Sequence, residues 1–266
     1  MRFFIIFLIL FFAEKLKAQT DSGPRFMAMA NAGTALEGVF TLGSNQAGIA
    51  SLKRSELALA FQEHNHSTNV RSIAAFFALP TYVGVLGLYA NKYSVKQDLN
   101  ELRGGLTLSR LFASKFAVAG TLNYHQLSIS QSGVNKALTF DLGLQYKLSQ
   151  NWIIGAHFVN PFAFVQVKAL SYKVSSQVRV GTSYILSNQI LLAIESEYDL
   201  DDYYDFRLGL EYSIINKLKL RGGTSFAPFK QYVGAGVDLN RIGVDAATSF
   251  HPQLGASSQL SLNYAF

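Results

Sequence analysis

Strict period-two alternation constrains this chain more than any other feature. From Leu138 to Leu148 one face carries Leu138, Phe140, Leu142, Leu144, Tyr146 and Leu148, and the other carries Thr139, Asp141, Gly143, Gln145 and Lys147. From Tyr204 to Tyr212 an apolar face of Tyr204, Phe206, Leu208, Leu210 and Tyr212 is set against Asp205, Arg207, Gly209 and Glu211. Phe116, Val118, Leu122 and Tyr124 oppose Ala117, Ala119, Thr121 and Asn123 in the same way. A helix repeats about every 3.6 residues, so only strands sort these residues onto two faces. About fourteen segments of roughly ten residues carry the pattern, the length a tilted strand needs to cross a bilayer.

The connections between segments alternate in length. Leu79-Pro80-Thr81-Tyr82, Ala113-Ser114, Ser149-Gln150, Ser187-Asn188, Ile215-Asn216 and Asn240 read as tight turns. Gln62 to Ser67, Asn91 to Asn100, Ser130 to Asn135, Asn160 to Ser175 and His251 to Ala256 read as longer loops. Short periplasmic turns and longer outside loops are the pattern of outer-membrane barrels, and an even strand count puts both chain ends in the periplasm. Lipid offers no partner to an unpaired backbone group, so such a sheet must close on itself. The polar faces are mostly Gly, Ala, Ser, Thr, Asn and Gln, which suits a crowded barrel interior better than the Lys- and Glu-rich surface of a soluble sandwich. Charged residues make up 15% of the chain, against about a quarter in soluble domains. The expected fold is therefore all-β: a membrane-spanning antiparallel up-and-down β-barrel of about 14 strands with a short N-terminal plug segment.

The N-terminus reads as a targeting segment. Arg2 is followed by an apolar run from Phe3 to Ala13, then by the polar Glu14 to Lys17, with Ala18 before Gln19. This is the layout of a secretory signal peptide, and the run is too short to span a bilayer. Cleavage is expected after Ala18. The resulting division is 1–18 signal peptide, 19–54 plug or hatch, and 55–266 transmembrane barrel. Residues 21 to 52 are too irregular for a membrane strand, and are rich in Gly, Ala and Met, which fit inside a lumen. Ser72 to Ala90 carries no charge and could be taken for a transmembrane helix, but Pro80, Gly84 and Gly87 interrupt it. Two strands joined by a Pro80-Thr81 turn fit better.

There is no cysteine, which excludes disulfides, zinc–thiolate sites and a thiol nucleophile. The formal charge is +6; the signal segment carries Arg2, Lys15 and Lys17 against Glu14, so +4 remains without it. That excess forms no basic run with interleaved aromatics, so no nucleic-acid partner is expected. No Gly-x-Ser-x-Gly nucleophile motif occurs, and the chain is read as a non-enzyme without a cofactor. An outer-membrane hydrolase would require a juxtaposed Ser and His. His64-Asn65-His66 lacks a third ligand for a metal, and Asp199, Asp201 and Asp202 lack the spacing of a calcium loop, so no metal site is expected.

The charges on the inward faces gather on four consecutive strands: Arg179, then Glu195 and Glu197, then Arg207 and Glu211, then Lys219 and Arg221. Counted from the turns, Arg179, Glu195 and Arg207 share one depth, and Glu211 lies near Lys219 and Arg221. The set reads as a salt-bridge ladder, because buried charges are nearly always paired. The sharper alternative is a polar constriction or headgroup site.

Gly23-Pro24-Arg25-Phe26-Met27-Ala28-Met29-Ala30-Asn31-Ala32-Gly33, followed by Asn45-Gln46-Ala47-Gly48-Ile49, resembles the N-terminal region of the FadL superfamily. In particular it is similar to the PorV/PorQ-like barrels of Bacteroidota. Gly155 to Phe162 and Leu220 to Gly223 look like the same group. The family's Asn-Pro-Ala-Gly element has Gln46 in place of the proline. The resemblance implies a fourteen-strand barrel with an N-terminal hatch in outer-membrane lipid. Its partner is either a small hydrophobic compound that passes through or a secretion-system protein that the barrel serves as an accessory, as in type IX secretion. The last strand, with Leu260, Leu262, Tyr264 and Phe266 on one face, ends on an aromatic residue. It resembles the insertion signal read by the barrel-assembly machinery.

Overall fold

The computed structural model describes residues 22–65, 67–96, 98–130, 133–161, 174–200 and 203–266. The proposed signal peptide, His66, Asp201 and Asp202 lie outside these residues. Fourteen strands form one closed antiparallel barrel: β1 (Glu56–His64), β2 (Ser67–Thr81), β3 (Gly84–Val95), β4 (Leu99–Phe112), β5 (Phe116–Ile129), β6 (Gly133–Lys147), β7 (Trp152–Val159), β8 (Gln177–Ser187), β9 (Ile190–Asp199), β10 (Tyr203–Ile215), β11 (Leu218–Phe226), β12 (Phe229–Leu239), β13 (Ile242–His251) and β14 (Gly255–Ala265). Each strand pairs with its sequence neighbours, and β1 closes on β14 through pairs such as Leu59↔Leu262. The sheet therefore has no free edge strand, as membrane insertion demands.

Alternation sets the two faces. Leu106, Leu138, Tyr204, Leu260 and Leu262 project outward and are exposed, while Ala119, Thr121, Asn123, Asp205 and Gln259 between or beside them are buried inside. A continuous outward face of Leu, Ile, Val, Phe and Tyr on a closed barrel is a lipid-facing surface. The Phe266 ring is 57% exposed and meets Tyr264 edge-on at 5.0 Å, and its amide donates to the Ser55 carbonyl at 2.9 Å, tying the last residue to the start of β1.

Two expectations need correction. The turn between β2 and β3 is Tyr82-Val83, with Pro80 and Thr81 still paired to Val85 and Gly84. Gly84, at φ 146, closes the hairpin, and the Thr81 hydroxyl donates to its carbonyl at 2.7 Å, so glycine rather than proline makes the bend. The loops at the opposite end are also shorter than expected. Val95 and Leu99 are still paired, as are Ile129 with Gly133 and His251 with Gly255. The strands simply continue past the apolar band, because hydrogen bonding needs no apolar side chains. The long connection is 160–176, which follows β7, the eight-residue strand.

The core is inside. Residues 22–52 fold within the barrel as helix α1 (Pro24–Ala28) and two 3-10 turns, Val39–Gly43 and Gln46–Ile49, and most of their side chains are buried. Pro24 at the first helical position presets the backbone of α1, and Asn45 caps the second turn by accepting from the Ala47 amide at 3.2 Å. Small inward residues of the wall make room for this segment. A Cβ on Gly209 would lie 2.6 Å from the Met29 carbonyl, and one on Gly234 would lie 2.6 Å from the Ala28 methyl.

Candidate functional site in the barrel lumen

The inner segment touches two unlike walls. On one side it meets charge. Arg25 Nε donates to Glu211 on β10 at 2.9 Å, and Arg221 on β11 donates to the same carboxylate at 2.7 Å and to Asp245 on β13. A second tier lies across β8 to β10. Arg179 pairs with Glu197 at 3.0 Å, and Arg207 reaches Glu197 at 2.8 Å, Glu195 at 3.1 Å and Asp205 at 2.8 Å. Glu195, 1% exposed, also accepts from the Thr34 amide of the inner segment at 2.8 Å. Burial of Arg25 opposes its charge, but the Glu211 carboxylate outweighs that and holds the guanidinium pKa above its ordinary value.

Of the sequence-derived ladder, Glu211 and Arg221 thus meet in one group with Arg25 and Asp245, and Arg179, Glu195, Glu197 and Arg207 meet in another with Asp205. Lys219 joins neither; it is half-buried and lines a cleft with Glu56 and Asp238. Arg25 and Glu211 are 186 residues apart, and nothing in local spacing announces the pair.

The same side carries most of the neutral hydrogen bonds to the segment. Asn45 Nδ2 donates to the Thr34 carbonyl at 2.7 Å and to the wall carbonyls of Leu144 and Ala156 at 3.0 and 3.3 Å. Gln145 on β6 donates to the Thr34 and Leu36 carbonyls at 3.0 and 2.8 Å, and Ser183 on β8 donates to Ala35 at 2.8 Å. Gln145 and Ser183 escaped the sequence reading, although each occupies an inward position of its strand. Of the other motif residues, Ala47 lies against β4 through the Ser109 hydroxyl, Gly48 sits beneath the Leu36 carbonyl, and Gln46 donates to Leu42 at 3.4 Å.

The opposite side is apolar. Ala58 and Ala60 on β1, Ala74, Phe76 and Ala78 on β2, and Val85 on β3 form one cluster with Phe26, Val39, Phe40, Leu42 and Ile49 of the inner segment. Phe40 and Phe76 stack edge-to-face at 5.5 Å. Among the described residues, the polar tie on these three strands is Glu56, the first residue of β1, which accepts from the Val39 amide. The seam therefore coheres mainly by packing, in a cluster that reaches Ala193 on β9, whereas the charged wall adds directional bonds to the packing of Met27, Ala28 and Ala30 on Tyr232 and Ala247.

Two small clefts flank Arg25 at the end of the barrel that carries Phe266. One, of about 190 Å³, is lined by Arg25, Glu37, Lys147 and Asn151; the other, of about 140 Å³, by Arg25, Glu56, Lys219 and Asp245. The first also meets Leu36, Ile153, Ile185 and Leu191, so its lining is mixed.

His64 and Ser72 do meet, at 2.8 Å. The Gln62 amide lies 3.4 Å from His64 Nδ1, and the group forms a buried polar contact between β1 and β2. His125 bonds Thr139 at 2.9 Å, and His157 is buried on β7 opposite Arg179. His251 accepts from Gln253 and Leu254 at a hairpin tip.

No protein-family model matches the sequence, and no curated protein matches it. The fold has clear likenesses among solved structures. The "CymD monoaromatic hydrocarbon channel" superposes with a TM-score of 0.70 at 14% identity, covering 92% of this chain and 97% of that one. The Ralstonia pickettii toluene transporter TbuX gives 0.66 at 14% identity, covering 91% and 97%. A Pseudomonas aeruginosa FadL homologue gives 0.66 at 10% identity, covering 94% and 98%. At such identities the likeness is one of fold.

Proposed function

We propose that this chain is an integral outer-membrane barrel of FadL type that passes a small hydrophobic compound, with both termini in the periplasm and residues 1–18 removed on export. The observation that carries this reading is the asymmetry of the inner segment's attachment. A hatch must stay fixed on one side and part on the other. The ion pairs and hydrogen bonds of β6 to β13 supply the fixed side. The packed seam against β1 to β3 supplies the side that parts, because sliding apolar surfaces over one another, or over an apolar ligand, breaks little polar contact: among the described residues, the Val39 amide bond to Glu56 at the end of the seam. The compound would displace Phe40 and Leu42 from the alanine-lined wall and run along it, away from the charged tiers. The names of the similar solved barrels, which refer to toluene and to monoaromatic hydrocarbons, support a small apolar substrate.

The test is uptake of labelled toluene by cells carrying the chain in their outer membrane, compared with an Ala60→Phe variant that fills the seam. Uptake above the empty-vector rate, lost in the variant, is expected. Equal uptake with and without the chain would remove the proposal.

One observation favours a second reading. The interior is packed by the inner segment and laced with buried ion pairs, which suits a rigid accessory barrel. The PorV/PorQ-like motif around Asn45 to Gly48 points the same way, to a secretion-system partner such as that of type IX secretion. A stable protein partner recovered from native outer membranes, together with no toluene uptake, would select this reading.

A further inference from the structure

The outward face is not uniform around the rim opposite the chain ends. On β2, β3 and β6 it carries Arg71, Lys92 and Lys136, all exposed, with Lys96 at the tip of the β3–β4 turn. On β8 to β13 the outward positions at the same end are Val178, Tyr198, Tyr204, Phe206, Phe226, Phe229 and Phe250, and among the described strand residues no lysine or arginine points outward there. Ion pairing does not explain the cations. Glu63 lies opposite Arg71 in the register and Asp98 lies in the turn, but no ion pair holds Arg71, Lys92 or Lys136 among the described residues.

Register places two of them on one row. Lys92 pairs with Leu102, Leu102 with Gln126, and Gln126 with Lys136. Three strand spacings separate the lysines, roughly 14 Å. Between them Gln126 accepts from the Tyr124 hydroxyl at 2.8 Å, adding a polar middle to the row. Arg71 lies diagonal to Lys92 on the next strand, opposite Ser94.

Cations at the end of an apolar band are at the depth of lipid headgroups, where they gain by meeting phosphate. A general anchoring girdle would encircle the barrel; this set occupies one sector. We infer that the β2–β6 rim is a docking face for a lipid carrying two phosphate groups, with Lys92 and Lys136 each holding one and Arg71 supporting Lys92. The leaflet that provides this lipid follows from the outer-membrane orientation proposed above; the site itself does not depend on transport.

The full-length chain, purified from membranes in a non-ionic detergent, is mixed with diphosphoryl lipid A, monophosphoryl lipid A or phosphatidylcholine, and bound lipid is counted by native mass spectrometry. The expected order of retention is diphosphoryl, then monophosphoryl, then phosphatidylcholine. The variant R71Q/K92Q/K136Q should bind diphosphoryl lipid A on the order of a hundredfold more weakly. A control variant at the other rim, R110Q/K115Q/K217Q, should bind like the parent. Equal retention of all three lipids, or a triple variant that binds like the parent, overturns the site. Displacement by inorganic phosphate at millimolar concentration would show a free-anion site and overturn the lipid assignment. Should the triple variant fail to fold, K92Q and K136Q singly are expected to lose several-fold each, and parent-like binding by both overturns the proposal. Toluene uptake is read on the same variants. Lost lipid with unchanged uptake supports the site alone, whereas absent uptake with retained lipid bears only on the transport reading.

Discussion

The two walls that grip the inner segment differ in what they cost to disturb. The charged wall, β8 to β13, presents Glu195, Glu197, Asp205, Glu211, Arg221 and Asp245, all nearly dry. Removing one partner there leaves others charged and unpaired, a penalty that water cannot relieve. The apolar wall, β1 to β3, presents Ala58, Ala60, Ala74, Phe76 and Ala78, and loses mainly contact area, plus the Val39 bond to Glu56, when the segment moves. On the proposed reading the inner segment thus has a fixed side and a yielding side.

The largest effect should come from steric exclusion on the fixed side. Gly209 lies under Met29, and a Cβ there would stand 2.7 Å from the Met29 Cβ as well as close to its carbonyl. Backbone cannot rotate away as a side chain can, so Gly209→Val should expel the segment from its seat while the barrel itself still closes. Limited proteolysis checks this: residues 22–52 should become cleavable in the variant and stay protected in the parent. Continued protection would mean that the wall yields instead, and the contrast between the walls would be lost.

Next is the ion-pair network. Glu211→Gln removes the carboxylate shared by Arg25 and Arg221 and leaves Arg221 only Asp245. A buried pair broken on one side costs about 3–5 kcal/mol. Thermal unfolding and proteolysis of the inner segment should both register that loss, and an effect below about 1 kcal/mol, the range of exposed pairs, would show that the network is solvated.

How far the sequence foretold these features follows from which physics is local. Period two is local: each strand carries its own inward and outward residues, so Leu138 to Leu148 and Tyr204 to Tyr212 read correctly alone. The strand count followed from the same signal. The charge ladder was legible in outline because Arg179 to Arg221 occupy inward positions on consecutive strands. Arg25 was not, since its pairing with Glu211 depends on the fold of a segment with no period at all. Asp245 was missed because β13 is remote in sequence from the other members, and Asp205, though placed on the inward face beside Arg207, was not joined to the ladder. Strand ends were illegible wherever pairing outruns apolar side chains, as at Val95 with Leu99.

A third variant tests the yielding side. Phe76→Leu keeps most of the volume against Phe40 and should cost about 1–1.5 kcal/mol. If the seam is the path, that small loss should raise uptake of a hydrophobic compound severalfold, while Glu211→Gln, costlier in stability, should not raise uptake through a sealed charged wall. The reverse ranking of uptake would place the opening among the ion pairs and remove the assignment of fixed and yielding sides.

The smallest effect separates burial from charge as the reason the fixed side holds. Lys147 on β6 pairs with Glu37 of the inner segment at 2.8 Å, as short as the Arg25–Glu211 contact, but these side chains are 29% and 35% exposed, whereas Glu211 is 7% exposed and its partners Arg25 and Arg221 are 23% and 3% exposed. Water solvates the Lys147 pair in both the docked and undocked states, so Lys147→Gln should cost no more than about 1 kcal/mol, and added salt should erase the difference. Glu211→Gln should keep its effect in salt, because ions do not enter a dry site. Should Lys147→Gln free the segment as readily as Glu211→Gln, the grip would lie at the rim, reachable from solvent. The inner tiers would then stiffen the wall without holding the segment, which would shift the hinge of any motion from β10 and β11 to β6.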